Sequence, residues 1–555
     1  MADKLRVIPL GGLGEIGKNM MVFELGEDLI LVDAGLMFPE ADMLGVDLVI
    51  PDVSYVANRI GKLRGIVITH GHEDHTGALP YVLPQLRLPN GKMPPIYCTR
   101  LTHGLISVKL HEHKLNKEAD LHMVQMGQTV RLGKFTVEWV RVTHSIPDSA
   151  GLAIRTPVGN IFHTGDFKLD HTPIMGEPTD LLRIAELGRE GVMLLLSDST
   201  YAETPGYTPS EYVVGDALDQ ITAHSSGRVI IATFASLISR VQQIIDASYA
   251  NGRHVFVTGR SMMDNVKMAL KQKYLEAPED ILVPLEKMRG LPPEQITIIT
   301  TGAQGEPTSA LARMANRDHR HIEIVEGDTV VLSSSAIPGN ELLINHTIDN
   351  LYRLGARVLY SRIANVHVRG HAAQEELKII LSLVQPHHFV PVHGEYRHLV
   401  MHAGLARAMG VEEANTFVLE DGDILEIDAS GAKVVGRTPA DYVYVDGLAV
   451  GVDRVVIRDR QHLAADGVIV AIVSIDKHTG KPIGLPDVVS RGFIEADMSD
   501  SLMERAGEVI LESLAGAEHV ADRSDFNTRV HDALSRFLYD ETRRRPMVLP
   551  LSVEV

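Results

Sequence analysis

The chain has 555 residues, 45% of them hydrophobic, which is enough apolar material for about three or four domains of ordinary size and too much for one core. Its single cysteine, Cys98, excludes an intrachain disulfide framework; no apolar run approaches the ~20 residues a membrane span needs, and Met1–Arg6 lacks a signal-peptide core, so a soluble cytoplasmic protein is expected. The formal charge of -19 argues against a protein that coats nucleic acid non-specifically, although a local cationic groove or bound metal ions are compatible with an acidic body.

Leu5 to Leu10 reads as a strand that runs into Gly11–Asn19. Gly12, Gly14 and Gly17 satisfy G-x-G-x-x-G, but a dinucleotide site needs a helix to open there, and Met20–Leu25 reads as a second strand. NAD is therefore rejected, and the glycines are expected to form a tight loop between strands. Leu29–Gly35 is another buried strand, ending in the acidic Asp33.

The apolar run Gly65–Ile68 then leads into Thr69-His70-Gly71-His72-Glu73-Asp74-His75. A β-branched run ending in turn residues delivers three imidazoles and a carboxylate together at a strand's C-terminal edge. Imidazole and carboxylate suit zinc, manganese or iron, and the H-x-H-x-D-H spacing lets the first pair face one ion and Asp74-His75 a second. Leu101–His113 reads as a helix whose His111 and His113 lie in a charged, solvated run. The strand Phe135–Val142 ends at Thr143-His144-Ser145, the strand from Asn160 ends at Asp166, and Val192–Tyr201 presents Asp198; each repeats the plan of an apolar strand with one metal-competent side chain at its edge. The next strand-end histidine of this kind, His393, comes only after a long interval, so a domain is inserted.

Within that insertion, strands at Arg228–Ala232 and His254–Thr258 alternate with helices over Ser236–Ala250 and Ser261–Leu275, predicting a small parallel sheet with helices on both faces. The loops Thr301–Glu306 and Ser333–Glu341, rich in small and hydroxyl residues, suit phosphate. After the helix Tyr396–Met409 come a hairpin-like stretch, Thr416–Val435, and an extended linker, Pro439–Gly447. The remainder reads as strands Arg454–Ile457 and Val468–Ile475, helices near Ser501–Leu514 and Asn527–Tyr539, and a closing strand Val548–Val555. No catalytic constellation is visible there, which leaves oligomerisation or RNA clamping as its role. The expected boundaries are 1–208 and 355–428 for one domain in two segments, 209–354 for the insertion, 429–452 for the linker and 453–555 for the C-terminal α+β domain.

H-x-H-x-D-H is the signature of the metallo-β-lactamase fold. Its order here, followed by His144, Asp166, Asp198-Ser199-Thr200, an inserted α/β domain, Gly370-His371 and Pro391-Val392-His393-Gly394-Glu395, resembles the β-CASP branch of that superfamily, nucleases acting on RNA or DNA. Gly11–Asn19, Phe234-Ala235-Ser236, Gly259-Arg260-Ser261-Met262, Thr301–Glu306 and the appended C-terminal domain are similar to the bacterial ribonuclease J family. The resemblance implies an α/β protein: a metallo-β-lactamase αββα sandwich, an inserted β-CASP α/β domain and a small C-terminal α+β domain. It implies two divalent ions, zinc or manganese, one held by His70, His72 and His144, the other by Asp74, His75 and His393, with Asp166 bridging and Asp33 orienting a ligand histidine. Asp74 would orient or deprotonate a two-metal-activated hydroxide, and His371, supported by Asp198, would protonate the leaving 3' oxygen. Ser333, Ser335 and His367-Val368-Arg369-Gly370-His371 would hold phosphate, and the Gly45 carbonyl, Asp47 and Asp446 would carry a structural calcium. The implied partner is RNA, cut by 5'→3' exonuclease and endonuclease action in maturation and decay, by a homodimer or homotetramer joined through the C-terminal domain, with RNA-decay proteins as further partners. The sequence departs from the family in three places: Leu237-Ile238-Ser239 replaces Asn-x-His, Tyr201 replaces an asparagine, and Arg369 replaces a serine. Arg369 either grips phosphate with its planar fork or turns aside and obstructs the groove. The alternatives are a β-CASP DNA nuclease and a metallo-hydrolase of a small thioester or lactam; a small substrate needs no second domain to form a groove.

Overall fold

A computed structural model describes residues 4–40, 42–337, 339–447, 449–479, 481–494, 496–515 and 523–555. It comprises two compact units, residues 1–38 with 49–443 and residues 39–48 with 444–555.

In the first unit, two sheets face one another across an apolar core. One is eight-stranded, in the order Gly431–Arg437, Asp423–Asp428, Leu5–Gly11, Met20–Leu25, Asp28–Val32, Leu63–Val67, Pro95–Cys98, Asp120–Met123. The other is six-stranded: His388–Val392, Leu194–Asp198, Asn160–His163, Ala150–Arg155, Phe135–Arg141, Thr129–Leu132. Val7, Phe23, Ile30 and Val67 of the first sheet meet Trp139, Leu152, Ile154 and Leu196 of the second, all essentially excluded from solvent. The only tryptophan of the chain, Trp139, also donates its indole N–H to the Ile68 carbonyl at 3.1 Å, tying the second sheet to the residue that precedes the histidine motif. Helices Leu181–Glu190, Gln374–Val384 and Tyr396–Ala408 cover the outer face of the second sheet through Ile184, Leu187, Leu377, Ile380 and Ala406.

The insertion is a five-stranded, fully parallel sheet in the order His254–Val257, Ile296–Thr300, Val229–Ala232, Thr329–Leu332, Arg357–Tyr360. Its near-continuous β-branched runs are what a strand buried on both faces requires, and one apolar cluster lies on each face, around Ile231, Val241 and Ile245 and around Ile298, Leu311 and Leu351.

The second unit has a three-stranded sheet, Asp487–Arg491, Val468–Ile475, Met547–Glu554, on which the helices Ala496–Leu514 and Arg523–Thr542 pack. Val468–Ile475 alternates strictly, with Ile469, Ala471, Val473 and Ile475 turned into a core with Phe493, Ile510, Phe526 and Leu534. Two expectations are corrected. The β-branched run Val455-Val456-Ile457 lies in the helix Arg454–Asp466, started by Asp453, whose carboxylate accepts from the Val455 N–H at 2.8 Å. The expected linker contains the strand Tyr442–Asp446, paired with Ala449–Val452. Among the described residues no helix is long and apolar enough to cross a membrane.

Candidate metal centre

Parallel pairing explains why residues so far apart in sequence meet. Val32 pairs with Val67, so Asp33 and Thr69-His70 leave neighbouring strands at the same edge; His163 pairs with Leu196 and Asp198 with Val392, so Asp166, Asp198 and His393 do the same in the second sheet. Asp33 and His393 adopt φ of 61° and 55°, a region sparsely populated by non-glycine residues, which turns each side chain back over its sheet end.

Three donor groups result among the described residues, two of them on the expected ligands and a third that joins Asp166 and His393 to Asp198 and His371. His70, His72 and His144 form the first: His72 Nδ1 lies 3.1 Å from His70 Nε2 and 3.2 Å from His144 Nε2. Burial pushes all three below the ordinary histidine range, His72 to about 4. His144 Nδ1 donates to the Gly370 carbonyl at 2.7 Å, which leaves the lone pair of Nε2 facing the other two rings. Three neutral imidazoles that converge on one point fit a divalent cation.

Asp74, His75, Asp166 and His393 form the second group. His75 Nδ1 donates to Asp33 Oδ2 at 2.8 Å, and Asp33 Oδ1 also accepts from the Thr69 N–H at 2.8 Å, so Asp33 fixes the tautomer of His75 with its Nε2 toward Asp166. His393 Nε2 lies 3.2 Å from Asp74 Oδ2 and 3.4 Å from Asp166 Oδ2, while its Nδ1 meets Thr200 Oγ1 at 2.6 Å. Burial opposes the charged form of His393, but the carboxylates of Asp166, Asp74 and Asp198 outweigh it and raise the group to about 9. Against burial, Asp166, Asp74 and Asp33 likewise put His75 well above its ordinary range, while the His393, His75 and His70 imidazoles hold Asp166 well below its own. A cradle with this much anionic field is one that a cation satisfies. Asp166 Oδ2 stands within 3.1–3.9 Å of nitrogens of His70, His75, His144, His371 and His393, between the two groups.

His371 lies beside this centre. Its Nδ1 bonds Asp198 Oδ2 at 2.8 Å, and Asp198 Oδ1 is held by the Thr200 N–H at 3.0 Å and hydroxyl at 2.8 Å. Against the effect of burial, Asp198 and Asp166 raise the His371 pKa. Arg369 is turned aside: its guanidinium covers the ring of Tyr201, and one N–H donates to Thr204 Oγ1 at 3.0 Å.

Several contributors were not singled out from sequence. Thr200 links Asp198 to His393; Asn19 donates to the Asp74 carbonyl at 3.0 Å; the buried His163, held near 4 chiefly by burial, accepts from the Gly165 N–H at 3.0 Å. Asn19 is admitted by the interstrand glycine loop, where a Cβ on Gly12 would lie 2.2 Å from its Oδ1. The Ser-Thr dipeptide after Asp198 was the available signal for Thr200, and Asn19 closes the glycine-rich stretch Gly11–Asn19; nothing local marked His163.

Other expected site residues fall elsewhere. Ser333 is fully buried, and its hydroxyl donates to the Val366 carbonyl at 2.7 Å and accepts from the buried Arg240, so it braces the chain before His367 and offers nothing to a phosphate. Ser335 is half-buried, with its carbonyl taken by Gln304 at 2.7 Å. His367 is held near 3 mainly by burial, with the Arg240, Lys168 and Arg369 cations adding to the effect, and Val368 is buried. His111, in the last turn of the helix Arg100–Glu112, and His113, just past its end, are both exposed. In the second unit Gly45 and Asp446 meet at Arg460, whose guanidinium donates to the Leu44 and Gly45 carbonyls at 3.2 and 3.0 Å and to Asp446 Oδ2 at 2.6 Å; Asp47 accepts from the Gly447 N–H at 2.7 Å. A side-chain cation fills the oxygen cradle, so the set does not fit the expected calcium.

Residues 13–215 match the metallo-beta-lactamase superfamily, 226–351 the ribonuclease J beta-CASP domain, 356–418 the Zn-dependent metallo-hydrolase RNA specificity domain and 455–555 the ribonuclease J C-terminal domain. A crystal structure of a protein of unknown function from Enterococcus faecalis V583 shares the fold, with a TM-score of 0.52 at 15% identity over 76% of this chain and 99% of that one. Ribonuclease J2 of Bacillus subtilis is 40% identical over 100% of this chain and 99% of its own length, and ribonuclease J of Thermus thermophilus is 42% identical over 100% and 96%. Ribonuclease J 1 of Streptococcus pyogenes is 41% identical over 99% and 97%. Matched from end to end by these relatives, and carrying the donor groups of a metallo-hydrolase at the strand ends of two facing sheets, the chain belongs to the ribonuclease J family.

Proposed function

We propose that this protein is a metal-dependent ribonuclease that hydrolyses RNA phosphodiesters 5'→3' from a 5'-monophosphate end, with additional endonuclease action, in RNA maturation and decay. The observation that carries the reading is the juxtaposition of Asp166, between two donor groups, with His371 held on Asp198. His70, His72 and His144 would hold one divalent ion and Asp74, His75 and His393 the other, with Asp166 shared. Zinc and manganese both suit these imidazole and carboxylate donors. Bound ions of this kind supply an activated water and charge stabilisation at phosphorus.

The residues of the chain do the rest. Asp74 is the most open of the centre's carboxylates, with 29% of its side chain accessible, and is the one placed to orient the attacking water and take its proton. Because Nδ1 of His371 is committed to Asp198, Nε2 is the atom that delivers a proton to the leaving 3' oxygen, a step typically worth 10²–10⁴-fold. Asp33, Thr200 and the Gly370 carbonyl each fix one ligand imidazole, which removes the rotamer and tautomer freedom that would blur the geometry. In the second unit Val489, Leu549, Leu551 and Val553 are exposed on the strands of the three-stranded sheet. That apolar surface supports self-association, as a homodimer or homotetramer, through the C-terminal domain. RNA-decay proteins as further partners and the cytoplasm as the location belong to the same reading and rest on the family alone.

Elemental analysis beside cleavage assays tests the reading. The expected result is two ions per wild-type chain, fewer in His72→Ala, RNA cut in preference to matched DNA, and 5'-monophosphate ends favoured over hydroxyl and triphosphate ends. Cleavage that survives full chelation would falsify it.

A further inference from the structure

Beside His371 stands a pair of side chains that the mechanism above does not use. Arg369 lays its guanidinium over the ring of Tyr201, the central carbon 4.6 Å from the ring centroid. The N–H that it gives to Thr204 Oγ1 at 3.0 Å stops the plane from rotating about its own long axis. The Tyr201 ring in turn meets the His371 ring edge to face, with centroids 5.7 Å apart. Tyr201 is largely buried, whereas Arg369 remains exposed. The result is a flat cation, backed by an aromatic ring on one side and open on the other, one ring's width from the imidazole that protonates the leaving oxygen.

Two kinds of RNA contact suit a guanidinium. Its edge can fork onto a phosphate, or its face can stack on a base. Here the side chain is flattened on Tyr201 and one terminal nitrogen is committed to Thr204, so it presents a face more readily than a fork. Unpaired bases have exposed π-faces of their own, and proteins that follow single strands hold them on aromatic rings and guanidinium planes without reading sequence. A cation pre-laid on an aromatic ring has already lost its rotamer freedom, so little ordering is left to oppose stacking.

We propose that Arg369, backed by Tyr201 and pinned by Thr204, is the stacking platform for the nucleobase of the nucleotide whose 3' oxygen leaves. The assignment rests on the ribonuclease reading of the centre and adds how the strand is gripped on the leaving-group side: by a base, independent of its identity, rather than by a further phosphate.

The test uses the metal-loaded full chain and short 5'-monophosphate RNAs, each carrying one abasic ribose at successive positions from the 5' end. For the wild type, one abasic position should raise KM by on the order of tenfold, with kcat little changed, because stacking is a ground-state contact. Arg369→Ser and Arg369→Lys should both raise KM for intact RNA by a similar factor and lose the penalty at that abasic position, with metal content and melting temperature unchanged. Lysine keeps the charge but not the plane, which makes it the deciding variant. If Arg369→Lys matches the wild type, or if no abasic position costs the wild type anything, Arg369 is a phosphate-neutralising charge or a bystander, and the proposal fails. Wild-type protein that does not cut intact RNA would instead count against the ribonuclease reading. The abasic series then moves to equilibrium binding by fluorescence anisotropy, where the same pattern across wild type, lysine and serine decides the platform on its own.

Discussion

Replacing Asp198 by Asn changes one atom and makes a sharp demand on His371. The carboxylate uses its two oxygens differently: Oδ1 takes the Thr200 N–H at 3.0 Å and hydroxyl at 2.8 Å, and Oδ2 takes His371 Nδ1 at 2.8 Å. An asparagine can keep its carbonyl on Thr200 and so retain the fold of the strand end, but it then offers His371 an NH2 group where an acceptor stood. The imidazole loses both its anion and the acceptor for its Nδ1–H, and its neutral form is pushed to the other tautomer. A hydrogen bond to a charged group contributes about 1.5–3 kcal/mol, so kcat should fall roughly 10- to 150-fold in Asp198→Asn. His371→Ala should lose on the order of 10²–10⁴-fold, the full general-acid contribution. Steady-state cleavage of a 5'-monophosphate RNA, with metal content measured on the same preparations, is the assay. Asp198→Asn that retains kcat within about threefold refutes the role assigned to the pair. So does loss of metal in step with activity in either variant, since Asp166, Asp198, His371 and His393 are close enough to form a ligand set of their own.

Three further outcomes are expected. In Gly370→Ala the new Cβ would stand 2.8 Å from His144 Cε1 and 3.0 Å from the Ser145 side chain, displacing a ligand imidazole; kcat/KM and metal affinity should drop roughly 10- to 100-fold with circular dichroism unchanged, and full metal occupancy would contradict this. Burial alone would raise the Glu138 carboxyl, but Arg183 at 2.7 Å and Arg155 at 2.8 Å hold it below its ordinary value of 4.5. A depressed carboxylate stabilises the fold above its unfolded pKa and loses that contribution as the pH falls through the folded one; Glu138→Gln should therefore cost about 1.5–3 kcal/mol at neutral pH and progressively less in acid, and a denaturation gap equally wide in both would count against the assignment. Adding calcium to metal-stripped wild-type protein should leave the melting temperature of the C-terminal unit unchanged, because Arg460 already satisfies the Gly45 and Asp446 oxygens; a calcium-dependent rise would show that the arginine yields its place.

The convergence of the strand-end histidines and aspartates was legible in the sequence because the signal is doubly local: a β-branched run fixes the strand, and the next few residues carry the metal-competent side chains. The same rule fails where a partner arrives from far away. Val455-Val456-Ile457 has the look of a strand, yet the cap supplied by Asp453 and the following helix-forming residues prevail. Ser333-Ser334-Ser335 has the look of a phosphate loop, but Arg240, remote in sequence, claims the first hydroxyl. The Gly45, Asp47 and Asp446 oxygens were readable as a cation cradle, whereas the cation, Arg460, was not. Tyr201 and Arg369 each stood out alone; their contact depends on how the chain returns from the insertion.

That return has a consequence in time. His70, His72, Asp74, His75, His144, Asp166 and Asp198 all precede the inserted domain, while His371 and His393 follow it, and the first strand of the protein waits for Asp423–Asp428 to complete its pairing. During synthesis the three-histidine group is already out of the ribosome when His371 and His393, the residues that complete the proposed site, have yet to be translated. A growing chain, tethered to the very message that encodes it, therefore lacks the means to cut RNA until most of its length has been made. Interrupting the catalytic domain with the insertion delays the birth of the activity as well as shaping its groove.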